Sequence, residues 1–173
     1  MNLLIIGAGG HGRCCYEIAQ RMKCFDVIDF VDDKAESVLD KKVIGTTEHL
    51  EILRQKYDCA FIAIGNNQIR KEMTEICKQI GFSIVSLIDP CAFVSSFSRI
   101  GEGSVVFPNS TIEATATIEN GCIISSNTTI HHDTRIKEYS LIYSQCVIRP
   151  YSIIDELTLI PCGTIIEGGI TSV

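Results

Sequence analysis

No run of lysine and arginine long enough to grip a polyanion occurs in this chain, and its formal net charge is −6. Both facts argue against nucleic acid or an anionic membrane surface as a partner. No apolar stretch approaches the ~20 residues that a bilayer-spanning helix needs. The opening Met1-Asn2-Leu3-Leu4-Ile5-Ile6-Gly7 is apolar but short, and it lacks the charged start of a secretory leader. The cysteines number nine, an odd count, with no Cys-x-x-Cys pair. That speaks against a disulfide framework and fits reduced thiols in a cytoplasmic protein. The second half also lacks any helical period near 3.6 and any irregularly spaced turns of an ordinary meander.

What it has instead is a strict period of six. Val94, Ile100, Val106, Ile112, Ile118, Ile124, Ile130, Ile136, Ile142, Ile148, Ile154, Ile160 and Ile166 follow one another without a slip. Four residues after nearly every one stands a small residue, from Ser98 and Ser104 through Cys122, Thr128, Thr134, Ser140 and Cys146 to Thr164. Such a rhythm predicts a solenoid of short parallel strands, each hexad making one flat side and one corner. The aliphatic would face the interior and stack on its equivalents, with the small residue in the tight inward place beside the corner.

The residues before the repeat alternate strands and helices. Asn2-Leu3-Leu4-Ile5-Ile6 reads as a strand buried on both faces. It runs into Gly7-Ala8-Gly9-Gly10-His11-Gly12, which satisfies G-x-G-x-x-G, and a helical pattern follows from Arg13 to Lys23. Strand, glycine loop and helix in that order can bring a phosphate to a helix N-terminus; the glycines can equally serve tight helix–strand packing. Further strands are expected at Val27–Val31, Cys59–Ile64 and Phe82–Ile88. A helix is expected from Glu48 to Lys56, and another from Gln68 to Ile80, capped by Gly81. This is a small Rossmann-like parallel α/β sheet, with ligands expected beyond the carboxyl ends of its strands. Gly9, His11, Gly12, Asp32, Asp33, Gly65, Asn66 and Asn67 should converge there. The domain boundary is placed at residues 1–89 and 90–173.

One hexad departs from the rest: Ile130-His131-His132-Asp133-Thr134-Arg135. A histidine beside a carboxylate can act as a general base, since its pKa lies near neutrality and the carboxylate can orient the ring. The same pair could be a solvated corner. Alternation along a strand lets one of the two histidines enter a given cleft. No metal site is expected, because the repeat holds no further histidine and its cysteines occupy inward positions.

Taken together, Leu4 to Gly12, Phe30-Val31-Asp32-Asp33, Phe61 to Arg70 and the hexads with His132-Asp133 resemble the hexapeptide-repeat sugar acyltransferases of the sialic-acid and bacillosamine type. The resemblance covers nearly the whole chain. It implies a left-handed parallel β-helix after the α/β unit, a homotrimer, acetyl-CoA as co-substrate and a UDP-amino-sugar as acceptor. It implies a nucleotide sugar rather than NAD in the N-terminal crevice. Gly9, His11 and Gly12 would then lie near the phosphates, and Asp32 and Asp33 near the uridine. Gly65, Asn66 and Arg70 would close the pocket. His132 would be the general base and Asp133 its orienting carboxylate. Where the family carries a second histidine this chain has Leu141, and family members continue through further coils past the point where Val173 stands. The corresponding expectation is a short column, and the alternative function is a trimeric sugar-nucleotide-binding or assembly module lacking a complete CoA site.

Overall fold

The computed structural model describes residues 1–169. The chain divides into two compact units, Met1–Leu87 and a second starting at Ile88. Val173, where the sequence reading ends its second domain, lies outside the described residues.

The first unit is built on a four-stranded sheet. Its order is Val27–Val31, Asn2–Ile6, Cys59–Ile62 and Ser83–Ile84, all parallel. The continuous apolar runs explain the arrangement. Leu3, Leu4, Ile5 and Ile6 are buried on both faces, as are Cys59 to Ile62, which is the pattern of strands covered by helices above and below. The chain order reverses beside Asn2–Ile6, so the crevice at a topological switch point falls at the Ile6 and Ile62 ends.

Helices occupy Gly10–Met22 and Asn67–Ile80. Gly81 ends the second in a left-handed conformation, its N–H reaching Cys77 and Lys78 carbonyls. The expected helix from Glu48 to Lys56 is shorter: a 3₁₀ turn at Thr47–His49 leads into Leu50–Leu53. The hairpin Ser37–Val38 with Lys41–Lys42 precedes it. Beyond that hairpin, Ile44 N–H donates to Phe30 O and Asp32 N–H to Gly45 O, while Lys41 Nζ caps Ile28 O. The exposed edge of Val27–Val31 is thereby covered.

The expected strand Phe82–Ile88 is two strands. Ser83–Ile84 joins the first sheet, and Leu87–Ile88 opens the first sheet of the column. Phe82, Ile84 and Leu87 are all buried, so one largely apolar run conceals a change of sheet.

In the second unit the strands are dipeptides that pair in parallel with strands one coil away. Val105 pairs with Ile123 and Ile123 with Leu141; Thr111 pairs with Thr129; Thr117 pairs with Arg135. Each partner is three hexads on, which makes the column three-sided. Val106, Ile112, Ile118, Ile124, Ile130, Ile136, Ile142 and Ile148 form one continuous core with almost no exposure. At ~25 cal/mol per Å2 of apolar surface, this stack is the main stabilising term of the unit.

The small inward residues do more than fit. From Ser104 to Ser140 the hydroxyls donate to a carbonyl 15 residues ahead, on the next coil: Ser104 to Glu119, Ser110 to Ser125, Thr128 to Tyr143, Thr134 to Arg149 and Ser140 to Asp155, whereas Ser98, Ser152 and Thr164 at the two ends donate to carbonyls three residues back. Cys122 and Cys146 take the same role with Lys137 and Pro161. Ser104, Ser110 and Thr128 also accept an N–H from Cys122, Thr128 and Cys146. The corners would otherwise bury unpaired backbone groups.

From Gly103 to Gly163, every corner holds its third residue after the inward aliphatic in the left-handed region. Asn109, Thr115, Gly121, Asn127, Asp133, Tyr139, Gln145, Tyr151, Leu157 and Gly163 all have φ between 55° and 70°.

Candidate active site

In the first unit, the strand-end residues surround a cavity of ≈ 320 Å3 lined by Gly7, Val31, Asp32, Asp33, Lys34, Thr47, Ile64, Ile69 and Met73, with Ile6 at its base. Three glycines of the loop have different reasons to be there. A Cβ on Gly7, at φ +108°, would meet Ala63 O at 2.8 Å. One on Gly12 would lie 2.1 Å from Gly7 O, so Gly12 lets the helix sit against the strand. Gly9 and Gly65 face open space. Gly9 precedes the first helix and leaves its N-terminal N–H groups approachable. The packing and ligand readings of the motif therefore apply to different glycines.

Asp32 is committed to the backbone. Its Oδ2 accepts from Ala8 N–H at 2.8 Å, and its Oδ1 from Lys34 and Ala35 N–H at 2.9 and 2.8 Å. Burial works to raise its pKa, yet these donors and the Lys34 charge hold it below the usual carboxylate value. Asp33 accepts from the Thr47 N–H and hydroxyl. Asn66 caps the second helix through Ile69 N–H at 3.0 Å.

Arg70 does not reach into open space as a pocket-closing side chain would. It is 1% exposed and donates to the carbonyls of Ile64 and Gly65 and to Asn67 Oδ1. It thus shapes the Gly65 loop from beneath. His11 packs 3.6 Å from the Cys15 thiol. Burial, assisted by the Arg70 charge, drops its pKa to about 4, so near neutrality the His11 ring is neutral.

In the second unit, the residues around His132 come from one edge of the column. The coil register sets Glu113, His131, Arg149 and Glu167 one above another, and likewise Thr115, Asp133 and Tyr151. His132 Nδ1 lies 2.8 Å from Asp133 Oδ2. The Asp133 pKa is lowered by that bond first and by the Thr115 hydroxyl second. An ionised carboxylate there makes Nδ1 the protonated nitrogen and Nε2 the basic one. The Tyr151 ring meets the imidazole edge-on, at 5.6 Å and 89°, a favoured aromatic geometry.

From the coil below, Glu113 Oε2 accepts the His132 N–H at 2.9 Å and touches His131 Nδ1 at 3.1 Å. Burial acts to raise the Glu113 pKa, but the His132 N–H and His131 outweigh it. The two adjacent histidines therefore meet different partners. Above Tyr151, a cavity of ≈ 490 Å3 is lined by Arg149, Pro150, Glu167, Gly168 and Gly169. Arg149 pairs with Glu167 at 2.9 Å, and Gly168 lets its coil rest on the Pro150 carbonyl.

Glu113, Thr115 and Tyr151 escaped the sequence reading. The signal was available, since they stand one coil before or after the His131–Asp133 corner. Among the described residues no group of three His, Cys, Asp or Glu side chains is placed to hold a metal ion. No helix among them is long and apolar enough to cross a membrane.

Residues 2–77 match the family described as PglD N-terminal domain, and residues 97–132 match bacterial transferase hexapeptide (six repeats). The acetyltransferase domain of PglB from Neisseria gonorrhoeae FA1090 is 34% identical, with a TM-score of 0.92 over 95% of this chain and 81% of that one. The same domain has been solved with acetyl coenzyme A, and aligns with a TM-score of 0.91 over 95% and 80% of the two chains at 34% identity. PerB from Caulobacter crescentus, in complex with CoA and GDP-perosamine, is 27% identical with a TM-score of 0.86 over 97% of this chain and 89% of that one. The UDP-N-acetylbacillosamine N-acetyltransferase of Bacillus subtilis (strain 168) is 33% identical over 109 residues, 61% of this chain and half of that protein's length. The three-sided column is the left-handed parallel β-helix of these proteins, following a Rossmann-like unit along the chain, and the chain belongs to the hexapeptide-repeat sugar acyltransferases with a PglD-type N-terminal domain.

Proposed function

We propose that this chain is an acetyl-CoA-dependent N-acetyltransferase acting on an amino sugar carried on a nucleoside diphosphate, with UDP the expected nucleotide. The observation that carries the reading is the His132–Asp133 contact at 2.8 Å, on an edge with open space above it. The first unit supplies the nucleotide crevice, where Gly9 and Gly65 leave the backbone approachable. Support also comes from the relatives, whose names specify N-acetyltransfer and whose structures hold acetyl coenzyme A or CoA with GDP-perosamine.

The chemistry asks little of the protein beyond alignment and one base. A thioester is already activated, so no covalent enzyme intermediate is required. His132 Nε2 takes the proton from the sugar amine as its nitrogen attacks the thioester carbonyl; the C–S bond then breaks, and the imidazolium returns the proton to the departing CoA sulfur. Asp133 holds the imidazole in the required tautomer and stabilises the imidazolium that forms. Replacing His132 by alanine should lower CoA release from acetyl-CoA plus a UDP-amino-sugar by about 10²–10⁴-fold. Unchanged turnover would remove His132 from the mechanism.

A second reading is a nucleotide-sugar-binding or assembly module without acyl transfer. Its support is Leu141, buried at 5% exposure where the family carries a second histidine. Calorimetry separates the two, since nucleotide-sugar binding with no acetyl-CoA binding favours the module.

The reading includes a homotrimer. The column face of Phe93, Thr111, Thr129, Val147 and Ile165 bears no charge, and Phe93 and Ile165 are each 61% exposed. The nine free thiols support a reducing, cytoplasmic setting.

A further inference from the structure

We infer that Thr115 is a positioning residue, holding Asp133 and through it the His132 imidazole. The inference rests on the reading of His132 as the general base.

Two observations meet at this residue. The first is conformational. Among the described residues, Thr115 is the one β-branched side chain in the left-handed region, at φ 64°. Equivalent corners use glycine, asparagine or a side chain unbranched at Cβ, as at Gly121, Gly163, Asn109, Asn127, Tyr139 and Gln145. A β-branched residue there is an outlier, because its Cβ substituents crowd the backbone. Nothing in the corner itself demands threonine, since the same turn forms with residues that suffer less.

The second observation is what the hydroxyl does. Thr115 Oγ1 donates to Asp133 Oδ1 at 2.8 Å, accepts the Asp133 N–H at 3.1 Å, and also lies against the Ala114 carbonyl. One hydroxyl therefore fixes both the backbone and the carboxylate of Asp133. The other carboxylate oxygen, Oδ2, is left for His132 Nδ1. Thr115 and Asp133 are both exposed, and a hydrogen bond between solvated groups adds little to stability. Folding thus gains little from a residue that strains its own turn. Orienting Asp133 is the return, because a carboxylate held at both oxygens keeps the imidazole in one tautomer with Nε2 presented. Glu113 secures the His132 N–H in the same way, but a glutamate at that position also serves the neighbouring corner, where Glu119 accepts Glu138 N–H.

The test compares three substitutions in the full chain, with His132→Ala as reference. Thr115→Val keeps the shape and removes the hydroxyl; kcat should fall about tenfold with KM for acetyl-CoA within about twofold, because the nucleophile's base is displaced and substrate contacts are not. Thr115→Ser should restore kcat to within about twofold. Thr115→Gly, which relaxes the turn and serves if the valine variant misfolds, should melt about 2–4 °C higher and still lose kcat. Imidazole 15N shifts give a readout independent of turnover: one tautomer of His132 in the wild type and serine variants, a mixture in valine and glycine. Wild-type kcat and shifts in the valine variant, or a serine variant as impaired as valine, would overturn the inference while leaving an inactive His132→Ala enzyme as evidence for the base. A fully active His132→Ala enzyme would overturn both.

Discussion

Gly12 and Gly9 belong to one motif and should respond oppositely to the same change. Gly12→Ala places a methyl 2.1 Å from the Gly7 carbonyl, an overlap that backbone movement has to absorb, and should destabilise the first unit by at least about 2 kcal/mol in urea melts. Gly9→Ala meets nothing within 4 Å, at an ordinary φ of −75°. It should fold as the wild type and weaken nucleotide-sugar binding about tenfold, or ~1.4 kcal/mol, by calorimetry. His11 adds a pH dependence. Its pKa is about 4 in the folded chain against an ordinary 6.5, so the unfolded chain binds more protons between those values. Stability contributed by neutral His11 is complete above pH 6.5 and is lost as pH falls towards 4. The urea midpoint should drop between pH 7 and pH 5, and His11→Gln should flatten that drop. At this scale the sequence showed which residue types assemble but not their tasks. Asp32, Asp33 and Arg70 were all read as ligand-facing. Asp32 and Asp33 line the crevice but also hold loop backbone and Thr47, and buried Arg70 holds the Gly65 loop, because loop amides and carbonyls need partners before a ligand arrives.

The column's elements obey a rule that hydrophobic periodicity could not reveal. The six-residue beat identified the inward aliphatics and the small corner residues. The bond from the mid-column hydroxyls to a carbonyl 15 residues ahead depends on how coils stack, which no local pattern states. Thr128→Val should leave the Tyr143 carbonyl and the Cys146 N–H without this partner and cost about 1–3 kcal/mol by thermal or urea unfolding. Ala116 breaks the ladder: it is fully buried and carries no donor. Ala116→Ser should add a rung beneath the His131–Asp133 corner and stabilise the column by about 1 kcal/mol; a lowered melting temperature would show that the site cannot take the hydroxyl. The division of Phe82–Ile88 into two strands was also beyond sequence reading. Both halves are apolar, and which sheet an apolar strand joins is decided by its partners rather than its composition.

For the whole molecule, the proposed trimer predicts a solution mass near three times the 19.1 kDa of one chain. Val147 stands midway on the uncharged face, between Thr129 and Ile165. Placing a charge there with Val147→Glu should shift the mass towards the monomer in light scattering, since a buried unpaired carboxylate at an interface is costly. A wild-type monomer would refute the trimer; a Val147→Glu trimer would place its contacts elsewhere.

Periodicity by itself determined that this chain is a parallel α/β unit followed by a stacked column of hexads. Burial demands that an aliphatic recur wherever the backbone returns to the interior, and thirteen in-frame returns admit few geometries. It also brought out the one hexad with histidines and a carboxylate. Tertiary structure alone decided that His132 meets Tyr151 while His131 takes Glu113, and that Thr115 grips Asp133 from the coil below. Those partners lie about one coil away along the chain, and only the closing of the three-sided turn brings them within hydrogen-bond reach.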